Sequence, residues 1–427
     1  MYKELKSLSK SSGIYVIFGF ANAVVPLILI PVLTRYLSPA EYGVVGFFIM
    51  ILTSFSAISA LGVEGAATRK FFDEGIKPHE IAQFVGSCFL ILTLTVCFLL
   101  LLTIFLAEFT SIFIGLDLIW TIAAVFAGGC MMALQLASGQ AQVRERPVLF
   151  GSLQLFYGVS NLLISIALVV TFKYGAEGRM FGIFISYFMM LCISLFILFR
   201  FKWIKFRYRP DYIREALNFG VPLLPHSVAL IILAMADRYL IGLFLDFEDL
   251  GIYILAMQLA AVLSIFFNSF HNAFTPWLYG QLKRGEIFIN SRIVIFTYIY
   301  IFLFIFFGLI ALQLAPNIIR FMASSPEYYD AEKLMPYLIY AQIFTGFYLM
   351  HVGYLLFKKR TKLLSAITLF SATINIVLIL SFIEPFGIEG VAIATFIAML
   401  IRFILVWFFG NRVHPMPWLW PLKEKEI

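Results

Sequence analysis

Long apolar runs, each of roughly 18–25 residues and nearly free of charge, recur along the whole of this 427-residue sequence. A run of that length crosses about 30 Å of hydrocarbon as a helix. Inside hydrocarbon every backbone donor and acceptor has to be satisfied within the protein, which admits only helices and closed barrels. The runs are continuous rather than alternating, so the spanning elements are helices. Composition excludes the competing explanation, the buried helices of a large soluble chain. Hydrophobic residues make up 62% of the sequence and charged residues 13%, with a mean hydropathy of +0.95. A soluble chain averages about 45–50% apolar and about 25% charged, because its surface has to be covered with polar groups.

The expected class is therefore all-α integral membrane, with twelve spans near 12–34, 42–66, 82–106, 112–136, 148–172, 178–199, 214–236, 250–275, 290–314, 334–356, 363–383 and 387–409. The first run follows Lys3, Lys6 and Lys10 and lacks a small-residue cleavage site, so it reads as a retained span. Cys88, Cys97, Cys130 and Cys192 all fall inside apolar runs without metal-ligand spacing, which points to packing.

Charge sets the expected orientation. Of the 31 Lys and Arg residues, 24 fall in the terminal segments and in alternate connections, while the intervening connections hold six and Arg402 lies inside the last run. The basic side is cytoplasmic by the positive-inside bias, which places both termini there. This topology accounts for the net charge of +7 without nucleic acid as a partner. The longest basic stretch, Arg200 to Arg214, lies mid-chain and divides the sequence into residues 1–199, a linker over 200–213, and residues 214–427 with a short cytoplasmic tail. Topology anchoring and contact with anionic membrane lipid are both open readings of that linker.

The two halves echo each other. Gly175-Ala176-Glu177-Gly178 matches Gly387-Ile388-Glu389-Gly390. Arg144-Glu145-Arg146 matches Lys358-Lys359-Arg360, and Asn161 and Asn375 then fall at the same offset as Arg146 and Arg360. Arg35-Tyr36-Leu37 closes the first span and Arg238-Tyr239-Leu240 the seventh. Six helices per half is an even number, so the repeats run parallel, related by an axis along the membrane normal. Two six-helix bundles around a central cavity form the architecture of an alternating-access transporter.

Ionisable residues inside spans are functional candidates because desolvation selects against idle ones. Arg35, Arg69, Arg238, His226 and Arg402 are the candidates for substrate binding, and Glu64 and Asp237 for coupling or for orienting the arginines. Each has a structural alternative. Arg35, Arg238 and Arg402 can snorkel to the headgroups. Asp237 and Arg238 can form a local pair, Glu64 can pair with Arg69, and His226 can bond a carbonyl freed by a proline. Pro26 and Pro31 in the first span, and Pro222 and Pro225 in the seventh, open their helices at matching places and are candidate hinges. The sequence carries no phosphate loop with its lysine, no His-Glu-x-x-His and no nucleophile elbow. No enzyme, metal or cofactor is expected, and the energy for transport has to come from an ion gradient, the membrane potential or the substrate gradient.

Leu33-Thr34-Arg35-Tyr36-Leu37-Ser38-Pro39-Ala40-Glu41-Tyr42-Gly43 resembles the first-loop signature of the Wzx-type polysaccharide flippases. Phe219-Gly220-Val221-Pro222-Leu223-Leu224-Pro225, continuing to Asp237-Arg238-Tyr239, resembles that family's seventh span. Gly251-Ile252-Tyr253, Pro276, Lys358 to Lys362 and Gly387 to Gly390 fit as well, so the resemblance covers the whole chain. It implies membership of the multidrug/oligosaccharidyl-lipid/polysaccharide exporter superfamily. The implied cargo is a polyprenyl-diphosphate-linked oligosaccharide (undecaprenyl diphosphate in bacteria), carried across the inner membrane for O-antigen, lipopolysaccharide, capsule or exopolysaccharide assembly. The resemblance also implies a polysaccharide polymerase complex as partner and H+ or Na+ coupling. Arg35, Arg69 and Arg238 are the positions that would hold the diphosphate, which suits guanidinium chemistry. A lipid II flippase would carry two further helices. A cation-coupled multidrug exporter would favour acidic cavity residues, and a non-transporting scaffold would need no paired proline-bearing helices.

Overall fold

The computed structural model describes residues 2–107, 116–284 and 287–418, without the side chains of residues 2–17, 20, 223, 225–230, 233, 234, 273, 276, 284 and 287–290. No strand occurs among the described residues. The helices are α1 (Tyr2–Tyr36), α2 (Pro39–Ala60), α3 (Val63–Lys70), α4 (Pro78–Phe105), α5 (Leu118–Val143), α6 (Pro147–Ile166), α7 (Gly175–Arg200), α8 (Pro210–Gly220), α9 (Leu224–Phe244), α10 (Phe247–Arg284), α11 (Ile287–Met322), α12 (Ala331–Phe357) and α13 (Thr361–Val413). Among the described residues nine helices are long and apolar enough to cross a membrane, and Ala21–Tyr36 adds a shorter apolar one. At 53 residues α13 would run about 80 Å, more than twice a hydrocarbon core. A break at Gly387 (φ 55°, ψ −141°) divides it into two arms that coincide with the last two expected spans.

Local sequence explains the helix starts. Proline occupies the first turn of α2, α4, α6 and α8, where its missing N–H costs nothing. Ser38 caps α2: its hydroxyl accepts from the Glu41 backbone at 3.3 Å, and Glu41 accepts from the Ser38 backbone at 2.9 Å. Glu41 also accepts from the Ala176 backbone at 3.3 Å, so one carboxylate serves the starts of α2 and α7. The Ser38-Pro39-Ala40-Glu41 stretch of the family-like signature is thus a helix-capping device.

The chain forms two compact units, residues 1–235 and 236–427. In the first, Phe84, Val85, Cys88, Leu134, Leu136 and Leu198 lie within one buried core. The basic linker joins it: Trp203 and Ile204 are buried there, and the Lys205 backbone donates to Ala82 at 2.9 Å. Gly86 permits this close approach, since a Cβ there would lie 2.3 Å from the Lys205 carbonyl oxygen. The short helix α8, which the sequence assigns partly to the second half, packs on α3 and α4 of the first unit. In the second unit Tyr253, Phe267, Phe304 and Tyr354 are almost wholly buried.

Four sequence expectations are revised. The second span is two helices, because Leu61 (φ 46°) and Gly62 (φ 69°) adopt left-handed backbone and end α2. Helix α1 runs unbroken through Pro26 and Pro31, whereas the seventh span is interrupted by a 3-10 turn, Val221–Leu223, that contains Pro222. The side chains of Pro225 and His226 lie outside the described residues. Cys88 and Cys130 are buried as packing requires, but Cys97 and Cys192 are exposed. Arg179, counted with a connection, is 7% exposed within α7.

Candidate functional site

In the first unit Arg69 stands in a basic and aromatic cluster at the end of α3. Arg69 and Lys70 close α3, where the positive charge suits the helix C-terminus. The Arg69 guanidinium lies 5.4 Å from the Phe219 ring centre, and the Lys70 ammonium 5.4 Å from that of Phe84. Lys70 also pairs with Glu215 at 2.6 Å and Asp73 at 3.0 Å. Together with Ala66 these residues enclose a cavity of about 30 Å³. That is room for about one water, so the diphosphate group does not fit between them in this conformation. Nearby, Arg144 stacks on Trp203 at 4.6 Å and on Phe71 at 5.0 Å. Burial, and then the charge of Arg146, push its pKa down to about 10.

The other first-unit candidates are dispersed. Arg35 is exposed at the end of α1, beside the Ser38 cap. It precedes α2, whereas Arg69 follows it on α3, and α2 itself, with 22 residues, is about 33 Å long. Glu64 stands in the first turn of α3, with Oε2 buried and without a hydrogen-bond partner. Among the described residues no ion pair joins it to Arg69.

Position within a helix run could not reveal the most buried charge of this unit. Arg179 donates to Asn161 Oδ1 at 2.5 Å and to Ser165 Oγ at 2.5 Å. Ser165 donates in turn to Asn161 at 3.2 Å, and Asn161 donates to the Tyr157 hydroxyl at 3.3 Å. Tyr157 stacks on Tyr187 with ring centres 4.3 Å apart. The Arg179 Nε has no hydrogen-bond partner, and among the described residues no carboxylate pairs with it. The one available signal was Asn161, which the repeat had marked.

In the second unit Asp237 and Arg238 come together near the end of α9. Asp237 is 5% exposed. One oxygen accepts from the Arg238 backbone at 2.8 Å and lies 3.8 Å from that residue's guanidinium. The other accepts from the Tyr253 hydroxyl at 2.8 Å, which lies 3.4 Å from Thr395 Oγ1. Tyr253 of the family-like Gly251-Ile252-Tyr253 segment therefore positions the Asp237 carboxylate. Arg402 is half-buried over the Tyr348 ring at 3.9 Å, with its Nε buried and without a hydrogen-bond partner. Among the described residues no group of three or more His, Cys, Asp or Glu side chains is placed to hold a metal ion.

The fold is similar to those of two solved transporter structures. The chain matches an inward-facing multidrug resistance MATE family transporter of the MOP superfamily with a TM-score of 0.74, at 12% identity, over 93% of this chain and 94% of that one. It matches the lipid II flippase MurJ in an inward closed conformation with a TM-score of 0.72, at 16% identity, over 92% and 87% of the two chains. At such identities the likeness establishes the fold. The family described as polysaccharide biosynthesis protein matches residues 8–280, and the chain belongs to that family. The Lsg locus protein 1 of Haemophilus influenzae is 23% identical over 374 residues, 86% of this chain and 89% of that protein.

Proposed function

We propose that this protein is a flippase that moves a polyprenyl-diphosphate-linked oligosaccharide from the cytoplasmic to the outer face of the bacterial inner membrane by alternating access of two six-helix bundles. The observation that carries the reading is the buried cationic charge of the first unit: Arg179 sits within a spanning helix, hydrogen-bonded to neutral groups. A buried guanidinium without a carboxylate is expensive in hydrocarbon. It supplies the positive field that an anionic headgroup needs. Membership of a polysaccharide biosynthesis family and the fold shared with a lipid II flippase support the same reading.

In this mechanism the basic end of the first unit is the cytoplasmic loading side. The diphosphate competes with Glu215 and Asp73 for Lys70 and draws in Arg69, which opens a pocket now closed by ion pairs. Arg35 and Arg238 act on the release side, through charge-assisted hydrogen bonds to the phosphates. Asp237 is the coupling group: taking up H+ or Na+ would weaken its hold on Arg238 and Tyr253. The released product goes to a polymerase for O-antigen, capsule or exopolysaccharide.

The test is the sidedness of the lipid-linked oligosaccharide in a deletion strain, read with an outer-face sugar probe. Accumulation on the inner face is expected, relieved by the wild-type gene and not by Arg35→Ala or Arg238→Ala variants that insert normally. Export at wild-type level by both variants sinks the headgroup assignment. Normal outer-face exposure in the deletion strain sinks the flippase reading and favours the multidrug exporter or scaffold.

A further inference from the structure

Two left-handed turns at one end of the first unit bring a pair of arginines onto one buried indole. Glu145 (φ 54°) reverses the chain between α5 and α6, and Lys202 (φ 55°) reverses it after α7. The second turn folds Trp203 back: its backbone donates to the Leu198 carbonyl at 2.8 Å, and the residue is buried. The Arg144 guanidinium then lies 4.6 Å from the Trp203 ring centre and the Arg146 guanidinium 5.3 Å from it. Arg146 also lies 4.5 Å from the Phe201 ring centre. Arg144 is fixed further by donating to Gln140, at 2.6 Å to Oε1 and at 3.1 Å to the carbonyl oxygen.

Two like charges held on one ring repel each other, and among the described residues no carboxylate forms an ion pair with either. Lys70, by contrast, has Glu215 and Asp73. Glu145 stands between the two arginines in sequence but is exposed. Aromatic stacking orders a guanidinium without neutralising it. Two ordered, unneutralised guanidiniums suit a phosphate, which accepts charge-assisted hydrogen bonds from both. Position selects which phosphate. Helices α5, α6 and α7 are each long and apolar enough to cross a membrane, and the arginines stand where α5 ends and α6 begins, at headgroup depth. Residues 200–209, which supply the indole, carry five Lys or Arg and no Asp or Glu, with aromatic residues between them. Phe206 and Tyr208 of that stretch are exposed. A basic segment of this kind beside a span attracts anionic lipid.

We propose that Arg144 and Arg146 form a binding site for the headgroup phosphate of an anionic phospholipid in the leaflet that borders this end of the unit. The site stays with that leaflet, because Arg144 is anchored to Gln140 and stacked on Trp203 and Phe71. Its occupant is a resident lipid rather than a group that has to leave for the other face. The bound phosphate offsets the repulsion between the arginines and ties the α5–α6 connection to the basic linker. The proposal rests on the spans alone and is independent of the flippase reading.

The experiment is native mass spectrometry of the full-length protein, delipidated in detergent and titrated with phosphatidylglycerol or with phosphatidylcholine of the same acyl chains. The expected result is one tightly held phosphatidylglycerol, preferred about tenfold over phosphatidylcholine, with the preference lost in the double variant Arg144→Gln/Arg146→Gln. Arg144→Lys/Arg146→Lys keeps the charge but loses the planar stack, and should bind phosphatidylglycerol about threefold more weakly than the wild type. A phosphatidylglycerol with a photoactivatable headgroup should label the α5–α6 connection or residues 200–203 of the wild-type protein, which keeps the test decisive even where the glutamine variant folds poorly. Equal binding of the two phospholipids, an undiminished preference in the glutamine variant, or labelling confined to other segments overturns the site. Displacement of the bound phosphatidylglycerol by equimolar geranylgeranyl diphosphate overturns the phospholipid assignment and gives the arginine pair to a diphosphate cargo. Displacement by inorganic phosphate alone overturns the lipid as occupant.

Discussion

Asn161 and Asn375 stand 214 residues apart, close to the 212 that separates the shared glycines Gly178 and Gly390, and both asparagines are buried. In the first unit the asparagine carbonyl holds the Arg179 guanidinium. In the second the Asn375 carbonyl has no hydrogen-bond partner, and Val391 stands in the place of Arg179, directly after the shared glycine. The buried charge of the second unit has the opposite sign, Asp237, held by Tyr253 and Arg238. The backbone at one matched position is nevertheless alike: Gly175 and Gly387 both adopt φ 55°. Hydrophobic runs fix a helix through many interchangeable residues, so the frame survives divergence of its parts. A buried charge depends on a few particular neighbours, so polarity can differ between two copies of one frame.

The largest effect should come from removing the buried charge. Arg179→Ala strips donors from Asn161 and Ser165 and leaves a void, a loss on the order of 3 kcal/mol. Thermal unfolding of the purified protein in detergent measures it. A variant as stable as the wild type would break the comparison at its root, because Arg179 would then be no part of the first unit's core.

The shared frame gives the next pair. A Cβ at Gly390 would lie 2.2 Å from the Phe382 carbonyl oxygen, whereas one at Gly178 would lie 2.9 Å from the Tyr174 Cβ and 3.1 Å from the Leu168 carbonyl oxygen. Gly390→Ala should cost about 2–3 kcal/mol and Gly178→Ala about 1 kcal/mol, as the backbone yields around each new methyl. Reversal of that order in unfolding curves would mean that the second break is the looser one. The asparagines sharpen the contrast further. Asn161→Ala leaves a charged donor without its acceptor and should cost about 2 kcal/mol, while Asn375→Ala removes an unbonded carbonyl and should cost under about 1 kcal/mol. Equal losses would show that Asn375 is bonded in solution after all.

The sequence made the membrane class and the apolar segments legible, because these rest on run length and composition. It also marked Asn161, Asn375 and the Asp237-Arg238 pair. It could not reveal Arg179, since one arginine among apolar residues five positions into a helix reads equally as an interface anchor. Nor could it place Tyr253 on Asp237, or Glu215 on Lys70, because such contacts join residues 16 and 145 positions apart. The break at Leu61–Gly62 was equally hidden. Leucine carries no signal for left-handed backbone, and a Cβ on Gly62 would meet Gly220 Cα at 2.7 Å, a contact set by tertiary packing.

The smallest effect belongs to the ion pairs at the charged end, and it separates surface from buried charge. Burial opposes the charge of Lys70, but its hydrogen bonds to Glu215 and Asp73 outweigh that and hold its pKa above the ordinary 10.5. A raised lysine pKa contributes stability that is fully present below 10.5 and is lost as pH climbs through the higher folded value. The Glu215 side chain is 46% exposed, so water and salt screen the pair and its contribution stays below about 1 kcal/mol. Unfolding of the wild type should therefore ease slightly above about pH 10.5, and high salt should blunt the change. In Glu215→Gln the alkaline step should shrink. Arg179→Ala leaves the Lys70 pairs untouched, so the alkaline step should persist in that variant. An alkaline step of undiminished size in Glu215→Gln would assign it to another group and leave the pocket beside Lys70 held shut by packing alone.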